Sequence, residues 1–311
     1  MLIIIIIIVI IIIITQDKNG SYGSVRTLLY FVVITVFVCV QFITGISLQF
    51  NGITNDGLHV LCPALTPFVN LTAFDLAANG IVLTSGEIGR PLVNVLANAL
   101  ASLPQLQRLN LSGIRMRECV SLILGNISRP LSMLRLSSCG LRRTDLVWLS
   151  TANISSELEQ LDIGGNNVAP HVDVLCNLLK HAGNSLAVFE AEDAELTTVS
   201  LSLLLATFEH LLQLRYVNVC GSDDIGAAAV IDTLEKLIAV PRLRMFRLSA
   251  PKDLAVSAAD GGVVHAAEAD GGVNSDDFRQ AQNSFAWRLS DLLARLCHAH
   301  SRPVIRLVFK L

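Results

Sequence analysis

Residues 131–141, LSMLRLSSCGL, and residues 158–168, LEQLDIGGNNV, are two copies of one pattern. Apolar residues fall at the first, fourth and sixth positions, Cys or Asn at the ninth, and an apolar residue at the eleventh. Leu134 and Leu136, like Leu161 and Ile163, stand two residues apart, which turns both side chains to one face of a strand. Cys139 or Asn166 then falls where the chain must turn, and its side chain can satisfy backbone groups left unpaired there. Working outward, the pattern recurs at Ile43, Ile46, Leu48, Asn51 and Ile53, and at Leu71, Phe74, Leu76, Asn79 and Ile81. More degenerate copies begin at Leu106, Leu186, Leu214 and Leu243. The start-to-start spacings are 28, 35, 25, 27, 28, 28 and 29 residues. Such regularity is the signature of a repeat architecture.

A unit of this length holds a short strand, a turn and a helical return. Helical spacing appears between the strands in Leu92/Leu96/Leu100/Leu103, in Val174/Leu175/Leu178/Leu179 and in Ile231/Leu234/Leu237. The expected fold is therefore α/β, a leucine-rich repeat solenoid curved into a horseshoe. Parallel strands line its concave face, helices cover its convex face, and the crossovers are right-handed. The repeat domain is expected over 43–311. Residues 252–277 are rich in Ala, Gly and Asp, carry ADGGV twice, and read as a flexible inserted loop. Beyond them, Phe285 to Cys297 reads as an amphipathic helix and Val304 to Phe309 as a closing strand.

The amino-terminal end follows other rules. Eleven of residues 2–14 are Ile, and residues 1–27 read as a low-complexity leader with the character of a translated repeat or a mistaken gene start. Leu28 to Ile46 carries no charge and follows Lys18 and Arg26, so read alone it is a candidate membrane anchor. Its last residues, Ile43 and Ile46, also belong to the first repeat, and no residue can serve lipid and a repeat core together. Cutting at Phe42 leaves 28–42 as the candidate anchor, short for a bilayer.

Composition narrows the function. The chain of 311 residues is 52% hydrophobic and 16% charged, which excludes a disordered protein. A net charge of −3 and an aromatic content of 5% argue against nucleic-acid binding. The 7 cysteines form no close pairs, which favours buried thiols over a disulfide framework. Phosphate-loop, HExxH and GxSxG motifs are missing, so no enzyme, metal or cofactor is expected. Cys297, His298 and His300 are the one close Cys/His group, and they lack a fourth ligand. Asp260 and Asp270 read as solvated loop acids. Sequons start at Asn70, Asn110, Asn126 and Asn153, and Asn110 falls on an expected strand.

On each strand, the residues flanking the inward apolar pair point to the concave side. The central outward positions are Ser47, Asp75, Asn110, Arg135, Asp162, Glu190, Asn218 and Arg247. With their neighbours they give an acidic group, Asp162, Glu190, Glu192 and Asp193, beside Arg215, Tyr216, Arg244 and Arg247. Tyr and Arg together are what interface hot spots favour, so these eight residues are the candidate partner-binding site.

Pro130 to Phe309 resembles the carboxy-terminal part of the PRAME and leucine-rich repeat-containing protein 14 family, whose repeats are of the ribonuclease-inhibitor type. The resemblance rests on RPLSMLRLSSCGLRRTDLVWLS, in which a strand and a Cys precede an xxxDLxxLS helix start. LEQLDIGGNNV, LAVFEAEDAEL and LRYVNVCG then follow in family order, before FAWRLSDLLARLCHAHSRP and a last apolar strand. It implies a non-catalytic interaction protein: a scaffold or adaptor, a substrate receptor of a cullin–elongin ubiquitin ligase, or a regulator of cytoplasmic signalling. The ligase-binding box of such receptors finds no match here, where Ile-rich sequence stands. The expectation is a cytoplasmic scaffold that binds a protein partner through its concave face. A membrane-anchored repeat receptor, single pass through 28–46, is the alternative.

Overall fold

The computed structural model describes residues 40–249, apart from 88, 223–224, 238–239, 241 and the side chains of 227 and 234, together with the backbone of the strand 306–310. Short strands follow the apolar pairs of every repeat: β1 (Gly45–Ser47), β2 (Ala73–Asp75), β3 (Arg108–Asn110), β4 (Met133–Arg135), β5 (Gln160–Asp162), β6 (Val188–Glu190), β7 (Tyr216–Val219) and β8 (Met245–Ser249). The closing strand β9 (Arg306–Lys310) joins them. All are parallel and lie in chain order β1 to β9 in one sheet. Leu109, Leu134, Leu161, Phe189, Val217 and Phe246 are partners in register, so the repeat frame of the sequence is the pairing frame of the sheet.

Helices return the chain: α1 (Asn55–Ala64), α2 (Arg90–Ala101), α3 (Val120–Leu124), α4 (Arg143–Leu149), α5 (Val172–His181), α6 (Thr198–Phe208) and α7 (Ala227–Leu237). Each packs on the next. The result is an α/β leucine-rich repeat solenoid with strands on the concave side and helices on the convex side. Helices α2, α5 and α7 fall on the spacings read from the sequence, and α4 on the DLVWLS segment. The all-round apolar α6 has no helical stripe to read, yet Thr197 starts it with a capping box. Thr197 Oγ1 accepts the Ser200 N–H at 3.2 Å and Ser200 Oγ accepts the Thr197 N–H at 2.7 Å.

Two side-chain devices join successive repeats. Asn166 Oδ1 accepts from the N–H groups of Cys139 and Leu141 (3.1 and 3.0 Å), while its Nδ2 donates to Leu136, Ile163 and Gly164 carbonyls (2.9, 2.7 and 3.0 Å). Asn79 does the same for Asn51, Ile53, Leu48, Leu76 and Ala77. Cys139 fills the equivalent place with a thiol that donates to Leu111 O at 3.3 Å. Burial pushes that thiol up to about 12. The second device is Asp145, nearly fully buried at the start of α4, which accepts backbone N–H groups on both sides of the repeat boundary.

Each turn after β1 to β7 uses the left-handed region. The residue before the Asn/Cys position has positive φ throughout: Phe50 (57°), Ala78 (52°), Gly113 (78°), Ser138 (55°), Gly165 (62°), Asp193 (54°) and Gly221 (77°). Three are glycine, which enters this region freely; the other four carry a Cβ into it.

Ile43, Ile46 and Leu48 pack against the core, so the described part of 28–46 belongs to the solenoid. Among the described residues no helix is long and apolar enough to cross a membrane. The leader, residues 28–39, the loop 252–277 and the segment 285–297 lie outside the described residues.

Candidate functional site

Register lays out the concave face as rows. One row runs Ser47, Asp75, Asn110, Arg135, Asp162, Glu190, Asn218, Arg247, each the Cα partner of the next. A second, two residues earlier, runs Gly45, Ala73, Arg108, Met133, Gln160, Val188, Tyr216, Met245. Neighbouring strands lie about 4.8 Å apart, so each row is a file of side chains at near-constant spacing.

Of the eight residues singled out in the sequence, Asp162, Glu190 and Arg247 stand on the first row and Tyr216 on the second. Arg247 Nη1 donates to Tyr216 Oη at 3.4 Å. Exposed Arg215 and Arg244 immediately precede their strands, and the Arg244 N–H donates to Arg215 O at 2.8 Å. Glu192 follows β6 and accepts from Asn218 Nδ2 at 2.9 Å. Asp193 departs from the expectation: it occupies the left-handed turn position, exposed, and so leaves the strand face. Asn110 and Asn218 keep their places on the first row, Asn110 lining the concave hollow and Asn218 bonded to Glu192, but offer little exposed surface. Both are buried, because their side-chain carbonyls fold back onto the N–H groups of Ser112 (3.1 Å) and Cys220 (3.2 Å).

The centre of the first row is acidic. Asp162 Oδ1 accepts from the Gly164 N–H at 3.1 Å and from Ser137 Oγ. Half-buried Glu190 is its partner on the next strand. Burial, then repulsion from Asp162 and Glu192, pushes the Glu190 carboxyl above the usual carboxylate range, while Arg135 and Arg247 pull it back.

On the other side of this centre lies a hollow of about 340 Å³ that sequence reading missed. Gly45, Ser47 and Ala73 line it with small residues over β1 and β2, and Arg108, Met133 and Arg135 line it from β3 and β4. Asp75 is its carboxylate, with Oδ1 already accepting from the Ala77 N–H at 2.9 Å. Neither Arg108 nor Arg135 has an ion-pair partner among the described residues, where the recorded pairs, Arg143–Asp173 and Lys236–Asp232, are on helices. The signal for the hollow was in the sequence: small residues at the third position of the first two repeats, then Arg at that of the next. Along the row the face thus reads basic, acidic, basic. Among the described residues no three His, Cys, Asp or Glu side chains gather to hold a metal ion.

Fold and face together define a leucine-rich repeat protein with a charged, strand-lined inner surface. The chain belongs to the PRAME family of such proteins: the PRAME C-terminal domain matches residues 85–269. It is 28% identical over 210 residues to leucine-rich repeat-containing protein 14 of Xenopus laevis, a match covering 67% of this chain and 41% of that protein. The chain therefore spans about two fifths of that relative's length. A crystal structure of the leucine-rich repeat-containing protein LegL7 from Legionella pneumophila aligns with a TM-score of 0.41 at 17% identity, covering 67% of this chain and 74% of that one.

Proposed function

We propose that this protein is a non-enzymatic scaffold or adaptor that binds a protein partner through the concave face of its repeats. The observation that carries this reading is the in-register row from Arg135 through Asp162 and Glu190 to Arg247. Its charges change sign twice along the solenoid, and Arg135 keeps its guanidinium free of any ion-pair partner among the described residues. Opposite charges held apart on a rigid sheet suit a partner of complementary pattern better than they suit self-pairing. We place the protein in the cytoplasm, since the reduced Cys139 thiol is itself a structural hydrogen-bond donor and Cys62, Cys119 and Cys176 are buried as free thiols.

The test is affinity purification with quantitative mass spectrometry on the full chain. The comparison is a variant carrying Glu190→Lys, Glu192→Lys, Arg244→Glu and Arg247→Glu, checked for an unchanged circular dichroism spectrum. Partners held by the first and lost by the second are the expected result. An identical partner list from both would overturn the reading.

A further inference from the structure

We propose that the concave face seats an amphipathic helix of a protein partner, which sets an acidic side chain against Arg108 and Arg135 at the side of the hollow and a basic one, seven residues along, over Asp162 and Glu190. This rests on the concave face being the binding surface, and it specifies what binds there.

The hollow supplies room. Gly45, Ser47 and Ala73 leave the sheet floor low over β1 and β2, while Arg108 and Arg135 rise from β3 and β4. Two guanidiniums without ion-pair partners among the described residues, beside one carboxylate already engaged by a backbone N–H, leave a positive excess there. An acidic side chain is the matching chemistry, since arginine forks bind carboxylates with two parallel bonds.

Spacing selects the helix. The step from the β3–β4 arginines to the β5–β6 carboxylates is two strand spacings, about 10 Å. Seven residues of α-helix rise about 10.5 Å and return to the same face after two turns. An extended segment covers that distance in about three residues, which turns the second side chain to the opposite face. Arg247 lies two strands beyond Glu190, so a further acidic residue another seven along meets it. The expected partner face is therefore acid, base, acid at heptad intervals.

The test is selection from a phage-displayed library of alanine-rich helical peptides of about 20 residues, randomised on one face, against the immobilised full chain. Recovered peptides are expected to carry opposite charges seven positions apart. Their binding should weaken about tenfold on an R108E/R135E chain with an unchanged thermal midpoint. Selection on that variant should return Lys or Arg where the acid stood. An empty selection, or peptides without the pairing, would overturn the inference. Peptides that depend on the row but lack the pairing would leave the concave-face reading standing; peptides indifferent to every charge reversal on the row would count against both.

Discussion

The carboxylate of Asp145 reaches back 25 residues to accept the backbone N–H of Val120 at 3.2 Å. Its other oxygen accepts from Glu118 (3.0 Å) and from Arg142 (2.9 Å), so one side chain caps α4 and the start of α3 in the preceding repeat. Asp145→Ala would leave those donors without an acceptor in a nearly closed site, at a cost of about 3 kcal/mol. Urea denaturation measures it. Asp173→Ala, which removes only the exposed partner of Arg143, is the control and should barely move the midpoint.

Asn166 makes five hydrogen bonds to backbone groups of two repeats, and Cys139 makes the equivalent link one repeat earlier. Asn166→Ala should destabilise by about 2–4 kcal/mol, because donors and acceptors are orphaned together. Asn167→Ala, one residue on and exposed, should change the same unfolding curve little.

Buried thiols give a chemical readout of the folded state. Cys62 and Cys139, both pushed up to about 12 by burial, are far from thiolate at neutral pH. Iodoacetamide at pH 7.5 should leave both unmodified in the native chain and modify both in urea. Peptide mass spectrometry separates the two outcomes, and rapid native labelling of Cys139 would contradict its place in the turn.

The left-handed turn position predicts opposite signs for two neighbouring substitutions. Ala78→Gly removes a Cβ from a residue at φ 52° and should stabilise by up to about 1 kcal/mol, once the greater freedom of unfolded glycine is counted. Gly113→Ala, at φ 78° and with its new Cβ 3.3 Å from the Ala78 backbone, should destabilise by about 1–2 kcal/mol. Thermal melts of the two variants beside the parent decide the point.

Glu190 makes stability depend on pH. Folded Glu190 holds its proton to higher pH than an unfolded Glu does, so the folded chain binds that proton more tightly between the two values. Stability from this group is full below the unfolded value, about 4.3, and is lost as pH rises through the folded one. Glu190→Gln should therefore raise the thermal midpoint at pH 7 and lose its advantage near pH 4. A midpoint difference that grows on acidification would show the opposite sign.

Much of the fold was legible because its signals are local. Leu134 and Leu136 declare a strand face by spacing alone, and Asn166 declares a turn by its side-chain chemistry. Helix α6 was not legible, since Thr198–Phe208 is apolar on all sides and gives no stripe. Asp193 misled for a related reason: a charged residue three beyond the end of β6, next to Glu192, looks like part of the face, while the left-handed turn carries it away. Asn110 and Asn218 stand on the concave row as alternation says, but their side-chain carbonyls are taken up by their own backbone, which alternation does not show.

The sequence by itself determined the repeat frame, the core-facing residues and the strands, the closing one at Val304 to Phe309 included, because strand alternation and turn capping act within a dozen residues. Only the tertiary structure decided that Arg108 and Arg135 stand beside a hollow and that Glu190 is half-buried against Asp162 and Glu192. Those neighbours are about a repeat apart in the chain, and their meeting depends on the in-phase register of parallel strands and on the small side chains at Gly45 and Ala73. Register is a property of pairs of strands, set by the whole core packing at once.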